Sequence, residues 1–148
     1  MCGIVGFRSR DNFRSLKEIL PEACASLAHR GPDDSGLFYE ENTGVGLAHR
    51  RLSIIDLSRA GHQPMESDDG TVCICYNGEI YNFRKIRKIL EDCGHRFKST
   101  TDTEVVLKAY LQWGTECLEK FVGMFAFAIW DSRNQIIFLA RDRLGITP

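Results

Sequence analysis

The chain has 148 residues, of which 43% are hydrophobic, and its 19 basic and 20 acidic residues leave a formal charge of -1. This length and composition suffice for one domain with a sizeable core and exclude a disordered chain. The balanced charge gives no electrostatic reason to bind nucleic acid, and no stretch reaches the roughly 18 apolar residues of a membrane span. Neither a nucleic acid nor a membrane is therefore expected as a partner.

The six cysteines are spread through apolar segments, which indicates reduced thiols and a cytoplasmic location. The beginning of the chain has neither the length nor the flanks of a signal peptide. Cys73 and Cys75 lack the second pair or nearby histidine that a zinc site needs, so they are interpreted as core residues. Cys93 and His95 flank a glycine and are interpreted as a helix end. No metal site is expected.

The first half of the chain is predicted to form a strand, a helix and then further strands. The short apolar run "GIVGF" predicts a strand at 3–7, and helical spacing of apolar residues predicts a helix over 16–27 that lies on a sheet. "HRGPDDSG" at 29–36 is predicted to be a loop because it is rich in turn-forming residues. Strands are predicted at 36–40, 44–48, 52–56 and 72–77, the last ending in an Asn-Gly turn.

The second half is predicted to contain two helices and a hairpin. The helices run from Tyr81 to Cys93 and over "TDTEVVLKAYLQW", where Asp102 or Thr103 is expected to form the cap. The hairpin joins "MFAFAIWD" to "QIIFLARD" through "SRN". Because strands outnumber helices, we expect two sheets covered by helices rather than a doubly wound parallel sheet.

Cys2 lies directly behind the start methionine. Removal of Met1 would place a thiol and an α-amine on the same residue, and such an amine has an ordinary pKa of about 7.7–8.0. It could therefore accept a proton from the thiol near neutral pH without a histidine. A Met-Cys start alone is more often a buried cysteine without chemistry, so this position becomes informative only with further motifs.

Six motifs follow one another along the chain: "MCGIVGF", "HRGPDDSG", "AHRRLSIID", "YNGEIYN", "STTDTEVV" and "RDRLGITP". Together they resemble the glutamine-hydrolysing domain of class II glutamine amidotransferases, the N-terminal nucleophile type. "HRGPD", "RLSIID" and "NGEIYN" are more similar to the glutamine-dependent asparagine synthetases than to the enzymes of hexosamine or purine synthesis. The resemblance implies an α+β fold, a four-layer αββα sandwich of two antiparallel sheets, known as the N-terminal nucleophile hydrolase fold.

The resemblance also implies catalytic roles for three residues. Cys2 would attack the carboxamide carbon of glutamine, and its own amine would pass the proton to the departing ammonia. The Asn77 side chain and the Gly78 backbone N–H would stabilise the oxyanion, although Asn-Gly alone is more often an ordinary turn. Residues 30–33 are expected to form a supporting turn without a catalytic role.

Five further residues would bind the amino-acid end of the substrate. Arg51 would hold the α-carboxylate of glutamine through its planar guanidinium, with Arg50 as its nearest rival. Glu79 and Asp102 would accept hydrogen bonds from the α-ammonium group. The backbone around Leu52 and Ile54 would add contacts.

The activity that the resemblance implies is hydrolysis of glutamine to glutamate and ammonia, with ammonia supplied to ATP-dependent asparagine synthesis. Residues 1–148 are expected to be the glutaminase domain of a longer synthetase, because similar enzymes continue into a second domain. No phosphate loop is recognisable, so ATP and Mg²⁺ are expected only in that synthetase domain, with no cofactor in this one. The expected partners are glutamine and the synthetase domain, and a homodimer stays open.

Two alternatives stay open at this point. The first is an amidotransferase of the same family that modifies another carboxylate. The second is a degenerate domain that binds glutamine as a regulatory sensor without hydrolysing it.

Overall fold

Two antiparallel sheets form the centre of the computed structural model, which describes residues 1–54, 56 and 58–147. The first sheet has the order β1-β3-β2, with β1 Gly3–Arg8, β2 Asp34–Glu40 and β3 Val45–Arg51. The second has the order β4-β5-β6-β7, with β4 Met65–Glu66, β5 Val72–Ile80, β6 Gly123–Asp131 and β7 Ile136–Arg141. The helices are α1 Phe13–Ser26, α2 Phe83–Asp92 and α3 Asp102–Trp113, with short 3₁₀ segments at Glu41–Thr43, Arg59–Gly61 and Gly114–Lys120.

The layers follow the predicted order of helix, sheet, sheet and helix. Helix α1 packs on the first sheet through Leu20 and Cys24, which lie against Ala48. Helices α2 and α3 cover the second sheet through the largest apolar cluster. A separate cluster fills the space between the sheets: Val45, Leu47, Cys73, Cys75, Ala128 and Trp130. The interpretation of Cys73 and Cys75 as core residues is confirmed. In the ranges described, no helix has the length and apolar character needed to cross a membrane.

Helix α1 contains Pro21, which has no N–H to donate to the carbonyl of Lys17 one turn earlier. The hydroxyl of Tyr39 in β2 donates to that carbonyl instead, at 3.2 Å. The helix begins three residues before the predicted position, and Ile19 of its predicted apolar stripe is 52% exposed. The stripe that contacts the sheet is therefore narrower than the spacing indicated.

The predicted strand at 52–56 is wrong for the described residues of that range, and Ile55 lies outside them. Strand β3 ends at Arg51, which is paired with Asp34 at the beginning of β2. Beyond it the N–H of Leu52 donates to Sγ of Cys2 at 3.4 Å, and the N–H of Ser53 donates to the Asp33 carboxylate at 2.8 Å. Because side chains accept these bonds in place of a neighbouring strand, the described residues of the run form a loop.

The predicted turn at Asn77-Gly78 is also wrong, because β5 continues through both residues to Ile80. Gly78 pairs with Phe125 of β6 and has a φ of 156°. A β-carbon at Gly78 would lie 2.6 Å from Cα of Phe125, so this close pairing needs glycine. Pairing with β6 along nine residues outweighs the local turn preference.

The remaining predicted elements are confirmed within a few residues at their ends. The cap of α3 is Thr101, whose Oγ1 accepts from the N–H of Glu104 at 3.2 Å, so the expected caps Asp102 and Thr103 were wrong. Strand β4 was not predicted, since its two residues are too few to show a period.

Candidate active site

Strand alternation directs polar side chains into one end of the gap between the sheets. In β5, Cys75 belongs to the inter-sheet core, and Asn77 follows on the same face. In β3 the inter-sheet residues alternate and reach Arg51 at the last position of the strand. Ile4 of β1 packs against the same core, so Cys2 precedes it on the same face. Alternation therefore brings residues from both sheets together.

A pocket of about 120 Å³ opens at this end of the gap. All the site residues predicted from the sequence line it: Cys2, Arg51, Leu52, Ile54, Asn77, Gly78, Glu79 and Asp102. Its wall also includes residues from the loops and from the beginning of α3, namely Asp56, Gln63, Thr101 and Thr103. Among the predicted site residues, the structure thus brings together a thiol, a guanidinium, two carboxylates and a carboxamide, and the wall adds the carboxylate of Asp56 and the carboxamide of Gln63.

The Cys2 thiol contacts the backbone of Leu52, and an arginine side chain holds the Cys2 carbonyl. Its Sγ accepts from the N–H of Leu52, while Nε of Arg30 donates to the Cys2 carbonyl at 3.1 Å. Burial raises the pKa of the Cys2 thiol, and the Leu52 hydrogen bond, the Met1 terminal amine and the Arg51 charge partly offset that effect. Within the part of the chain that the structure describes, no histidine side chain hydrogen-bonds to this sulfur. A thiol with a raised pKa and no histidine needs another base for activation.

The Asn77 side chain is 5% exposed and lines the pocket. Its amide makes no hydrogen bond to any residue among those described, and it is not one of the fully buried polar groups that lack a partner, so it stays accessible from the pocket. Gly78 beside it lines the same pocket. The two residues therefore offer donors to a group that is not part of the protein.

Arg51 is a buried cation, 7% exposed, that contacts carbonyl groups instead of a carboxylate. Its Nη1 donates to the carbonyl of Ser58 at 3.0 Å, and Nη2 donates to the carbonyl of Asp56. Gly61 allows this packing, since a β-carbon there would lie 2.7 Å from Cζ of Arg51. No carboxylate of residues 1–54, 56 and 58–147 forms an ion pair with this guanidinium. A buried cation without a counter-charge favours an anionic ligand.

Two carboxylates among the predicted site residues line the pocket. Asp102 is the first residue of α3, and its Oδ2 accepts from the hydroxyl of Tyr76 at 2.6 Å and the N–H of Ile80 at 3.0 Å. Burial raises the pKa of Asp102, while these hydrogen bonds act in the opposite direction. Glu79 is exposed and lines the same pocket. Together they can accept hydrogen bonds from a cationic group.

The comparisons with known proteins agree with this arrangement. Residues 1–148 match a family model described as a glutamine amidotransferase domain. The chain belongs to this family. The amidotransferase domain is 40% identical, over its whole length, to asparagine synthetase [glutamine-hydrolyzing] 3 of Bacillus subtilis and covers 24% of that protein. It is 41% identical, again over its whole length, to the putative asparagine synthetase [glutamine-hydrolyzing] 2 of Methanocaldococcus jannaschii and covers 31% of it.

A solved structure supports the fold. The amidotransferase domain superposes on glutamine phosphoribosylpyrophosphate amidotransferase from Bacillus subtilis with a TM-score of 0.74 and 20% sequence identity. The match covers 99% of this chain and 38% of that one. This likeness and the two antiparallel sheets confirm the predicted fold class. The chain spans about a quarter to a third of the length of the two curated relatives.

The expected supporting turn at residues 30–33 lies beside the thiol of the amidotransferase domain. Besides the bond from Arg30 to Cys2, the Gly31 carbonyl accepts from Nε of Arg50 at 2.9 Å, and the N–H of Asp33 donates to the carbonyl of Arg51 at 3.1 Å. These bonds join the turn to the end of β3. Arg50, the rival of Arg51, therefore contacts the supporting turn.

Sequence reasoning missed several polar residues around the site of the amidotransferase domain. Gln63 is 4% exposed, and its Oε1 accepts from the N–H of Tyr76 at 2.6 Å. The Asp56 carboxylate accepts from the N–H of Ser58 at 2.8 Å and from both the N–H and the hydroxyl of Thr100 at 3.1 Å. Asp56 belongs to the "RLSIID" motif, which could have indicated its importance, whereas Gln63 carries no such signal. Across the described residues, no group of three His, Cys, Asp or Glu side chains could hold a metal ion.

Proposed function

We propose that this domain hydrolyses glutamine to glutamate and ammonia through a γ-glutamyl thioester on Cys2. The observation that carries the proposal is the buried Arg51 cation, which has no carboxylate partner among the described residues, in the same pocket as the thiol. A free α-amino acid supplies the missing carboxylate, and its ammonium group matches Glu79 and Asp102. A substrate held at both charged groups directs its side chain toward a fixed point, which favours reaction with the thiol.

In the first half of the reaction, the thiol of Cys2 gives its proton to the α-amine of the same residue. The sulfur then forms a bond to the carboxamide carbon of glutamine. Negative charge develops on the carboxamide oxygen, where the Asn77 amide and the Gly78 N–H donate hydrogen bonds. The carbon–nitrogen bond breaks, and the leaving nitrogen takes the proton from the amine and departs as ammonia.

In the second half, the α-amine takes a proton from water as the water oxygen attacks the thioester carbon, the carbon–sulfur bond breaks, and that proton returns to the sulfur, so that glutamate leaves with the thiol restored. Neither half needs a cofactor. Both require the removal of Met1, because an amide nitrogen at Cys2 cannot act as a base. Met1 also lines the pocket, so its removal would widen the access to the sulfur. The need for a reduced thiol supports a cytoplasmic location.

For the destination of the ammonia, we propose a synthetase domain in a longer chain that uses ATP and Mg²⁺ to convert aspartate to asparagine. The names of the two curated relatives support this destination. An acceptor with another carboxylate is the alternative, because the pocket residues would recognise only the donor glutamine. The sensor alternative is weaker, since substrate binding alone would need neither the thiol nor the donors at Asn77.

The proposal is tested by comparing protein with a free Cys2 terminus, verified by intact mass, with protein in which the amine is acetylated. Ammonia release from glutamine should fall by about 10²–10⁴ in the acetylated form, because it lacks the proton acceptor. Cys2→Ser with a free terminus should also be nearly inactive, since a hydroxyl is a much poorer nucleophile near neutral pH.

Circular dichroism serves as the control, because the β1 strand that follows Cys2 is intact in each of these proteins. Equal turnover by the acetylated form would overturn the proposed base. No ammonia release by the free form would overturn the proposed activity.

A further inference from the structure

The outer edge of β5 is only partly covered by its neighbouring strand. Strand β4 pairs with Cys73 and Ile74 alone, although β5 continues to Ile80. In an antiparallel strand the N–H and C=O of one residue point to the same side. At Tyr76 both groups are bonded to side chains: Oε1 of Gln63 accepts from the N–H at 2.6 Å, and Nε2 of His49 bonds to the C=O at 2.9 Å. At Tyr76, two side chains thus make the hydrogen bonds that a neighbouring strand would otherwise make.

His49 connects the two sheets through this bond. It belongs to β3, two residues before Arg51, and is fully buried. Because its partner is a carbonyl oxygen, Nε2 must carry the proton and donate. Burial lowers the pKa of His49 to about 4, so the ring is neutral near pH 7. The ring does not line the pocket, and its donor atom is already engaged, which is unlike a catalytic base.

Gln63 extends the contact toward α3. Its Nε2 donates to the hydroxyl of Thr103 at 3.3 Å, next to Asp102 at the beginning of the helix. The hydroxyl of Tyr76 donates to Asp102 itself. The backbone of Tyr76 is therefore held by His49 of the first sheet and by Gln63, and its side chain is held by α3, immediately before the proposed oxyanion donor Asn77.

We propose that His49 and Gln63 are positioning residues that hold the two peptide groups on either side of Tyr76 and so direct the Asn77 amide at the developing oxyanion. His49 bonds to the carbonyl of the Tyr76–Asn77 peptide, and Gln63 bonds to the N–H of the peptide before it. The Tyr76 carbonyl and the Asn77 nitrogen share one rigid peptide plane, so rotation of that carbonyl moves the Asn77 side chain. A shift of about 1 Å in a catalytic group can cost about 10²-fold in rate. This inference rests on the proposed glutamine hydrolysis.

The experiment compares His49→Gln with His49→Asn in the protein with a free Cys2. Both are neutral amides, but only the longer glutamine side chain can place an N–H near the position of Nε2. His49→Gln should keep kcat within about 3-fold, and His49→Asn should lower kcat by about 10- to 100-fold. KM for glutamine should change less than about 2-fold in both, because neither contacts the amino-acid end.

Gln63→Met supplies a second arm that does not depend on the histidine variants folding. It has a similar length but cannot accept from the N–H of Tyr76, so kcat should fall by about 10-fold or more with little change in KM. Alkylation of Cys2 by iodoacetamide, followed by peptide mass, should keep its rate in Gln63→Met and in each folded His49 variant, because that reaction forms no oxyanion.

Equal kcat for the two His49 variants, or unchanged kcat in Gln63→Met, would overturn the inference. A parallel loss of alkylation and turnover would also overturn it, since that indicates general damage to the site. Wild-type protein and Asn77→Ala separate this result from the proposed function. If wild-type protein releases ammonia and Asn77→Ala is impaired while His49→Asn is not, only the positioning role fails.

Discussion

The site has two halves that are built differently. In the strand half, Asn77 and Gly78 belong to β5 and are held in register by β6. In the loop half, the Arg51 guanidinium is held by carbonyl groups of the loop that follows β3. A paired strand positions atoms more rigidly than a loop does. The difference indicates that the strand half contributes mainly to the chemical step and the loop half mainly to substrate recognition.

Each half is held by a side chain that joins it to another segment of the chain, which we call its brace. The brace of the strand half is the neutral His49 ring, and the brace of the loop half is the Asp56 carboxylate. The Asp56 carboxylate bonds to Thr100, shortly before α3 and Asp102. Its backbone carbonyl accepts from Arg51 at the same time. Asp56 therefore links the group proposed to hold the α-carboxylate with the segment that leads to a proposed ligand of the α-ammonium.

Asn77→Ala should give the largest effect and tests the strand half. Loss of one oxyanion donor lowers kcat by about 10²–10³, with a much smaller change in KM, because the charge develops only in the transition state. Steady-state kinetics of ammonia release measures both values. A change confined to KM would instead make Asn77 a substrate-binding residue and remove the contrast between the halves.

Arg51→Ala tests the loop half and should raise KM for glutamine by about 10- to 100-fold, because hydrogen bonds to a charged group are lost. Labelling of Cys2 by a small thiol reagent should persist, since it needs no amino-acid end. Arg51→Lys is the matched control: it keeps the charge without the planar fork and should also raise KM. Unchanged glutamine kinetics in both variants would show that the α-carboxylate binds elsewhere.

Mild acid should affect the contribution of His49 to stability but not the charge of Asp56. The unfolded chain protonates His49 near pH 6.5, but burial lowers its pKa in the folded state to about 4. Between these values the unfolded state binds more protons, so this residue's contribution to stability falls with falling pH, by about 2 kcal/mol from pH 6.5 to pH 5. Hydrogen bonds from Ser58 and Thr100 hold the pKa of the Asp56 carboxyl well below its usual range, so that brace stays ionised.

Urea unfolding of wild type and His49→Gln at pH 6.5 and pH 5 measures how the free energy of unfolding changes with pH in each protein. The free energy of unfolding should depend less on pH in the variant, because the contribution from His49 is lost. An identical dependence in both proteins would contradict a neutral, buried His49.

Asp56→Asn should have the smallest effect. The amide keeps one acceptor oxygen but loses the charge that strengthens the bonds to Ser58 and Thr100, so KM should rise about 5-fold with kcat nearly unchanged. Thr100→Ala, which removes only the hydroxyl donor, should produce a smaller rise of the same kind. A fall in kcat with constant KM would place Asp56 with the strand half.

The secondary structure of the strand half was easier to predict from the sequence than that of the loop half. Alternation and apolar runs predicted the strands of both sheets except the two-residue β4, because these patterns depend on neighbouring residues. The run at 52–56 has the same local appearance, but no strand is available to pair with the described residues there. The Asn-Gly pair after β5's apolar run led to the opposite error, since pairing with β6 overrides a local turn preference.

The site residues were predicted from motifs, and the structure brings all of them to one pocket, while their individual roles stay predictions. The residues that hold the two halves in place, including Gln63 and Asp56, were not predicted. Gln63 meets Tyr76 from 13 positions away, and Asp56 meets Thr100 from 44 positions away. No local pattern reports such pairs, because both depend on how the loops return to the sheets.

The hydrogen bond from the Leu52 amide to the Cys2 sulfur has a spectroscopic consequence. A backbone N–H that donates to a thiol experiences a different field when the sulfur is ionised, alkylated or acylated. In ¹⁵N-labelled protein, the Leu52 resonance is therefore a built-in reporter of the chemical state of the sulfur. Each form of the sulfur could be followed at this one amide without attaching any dye to the protein.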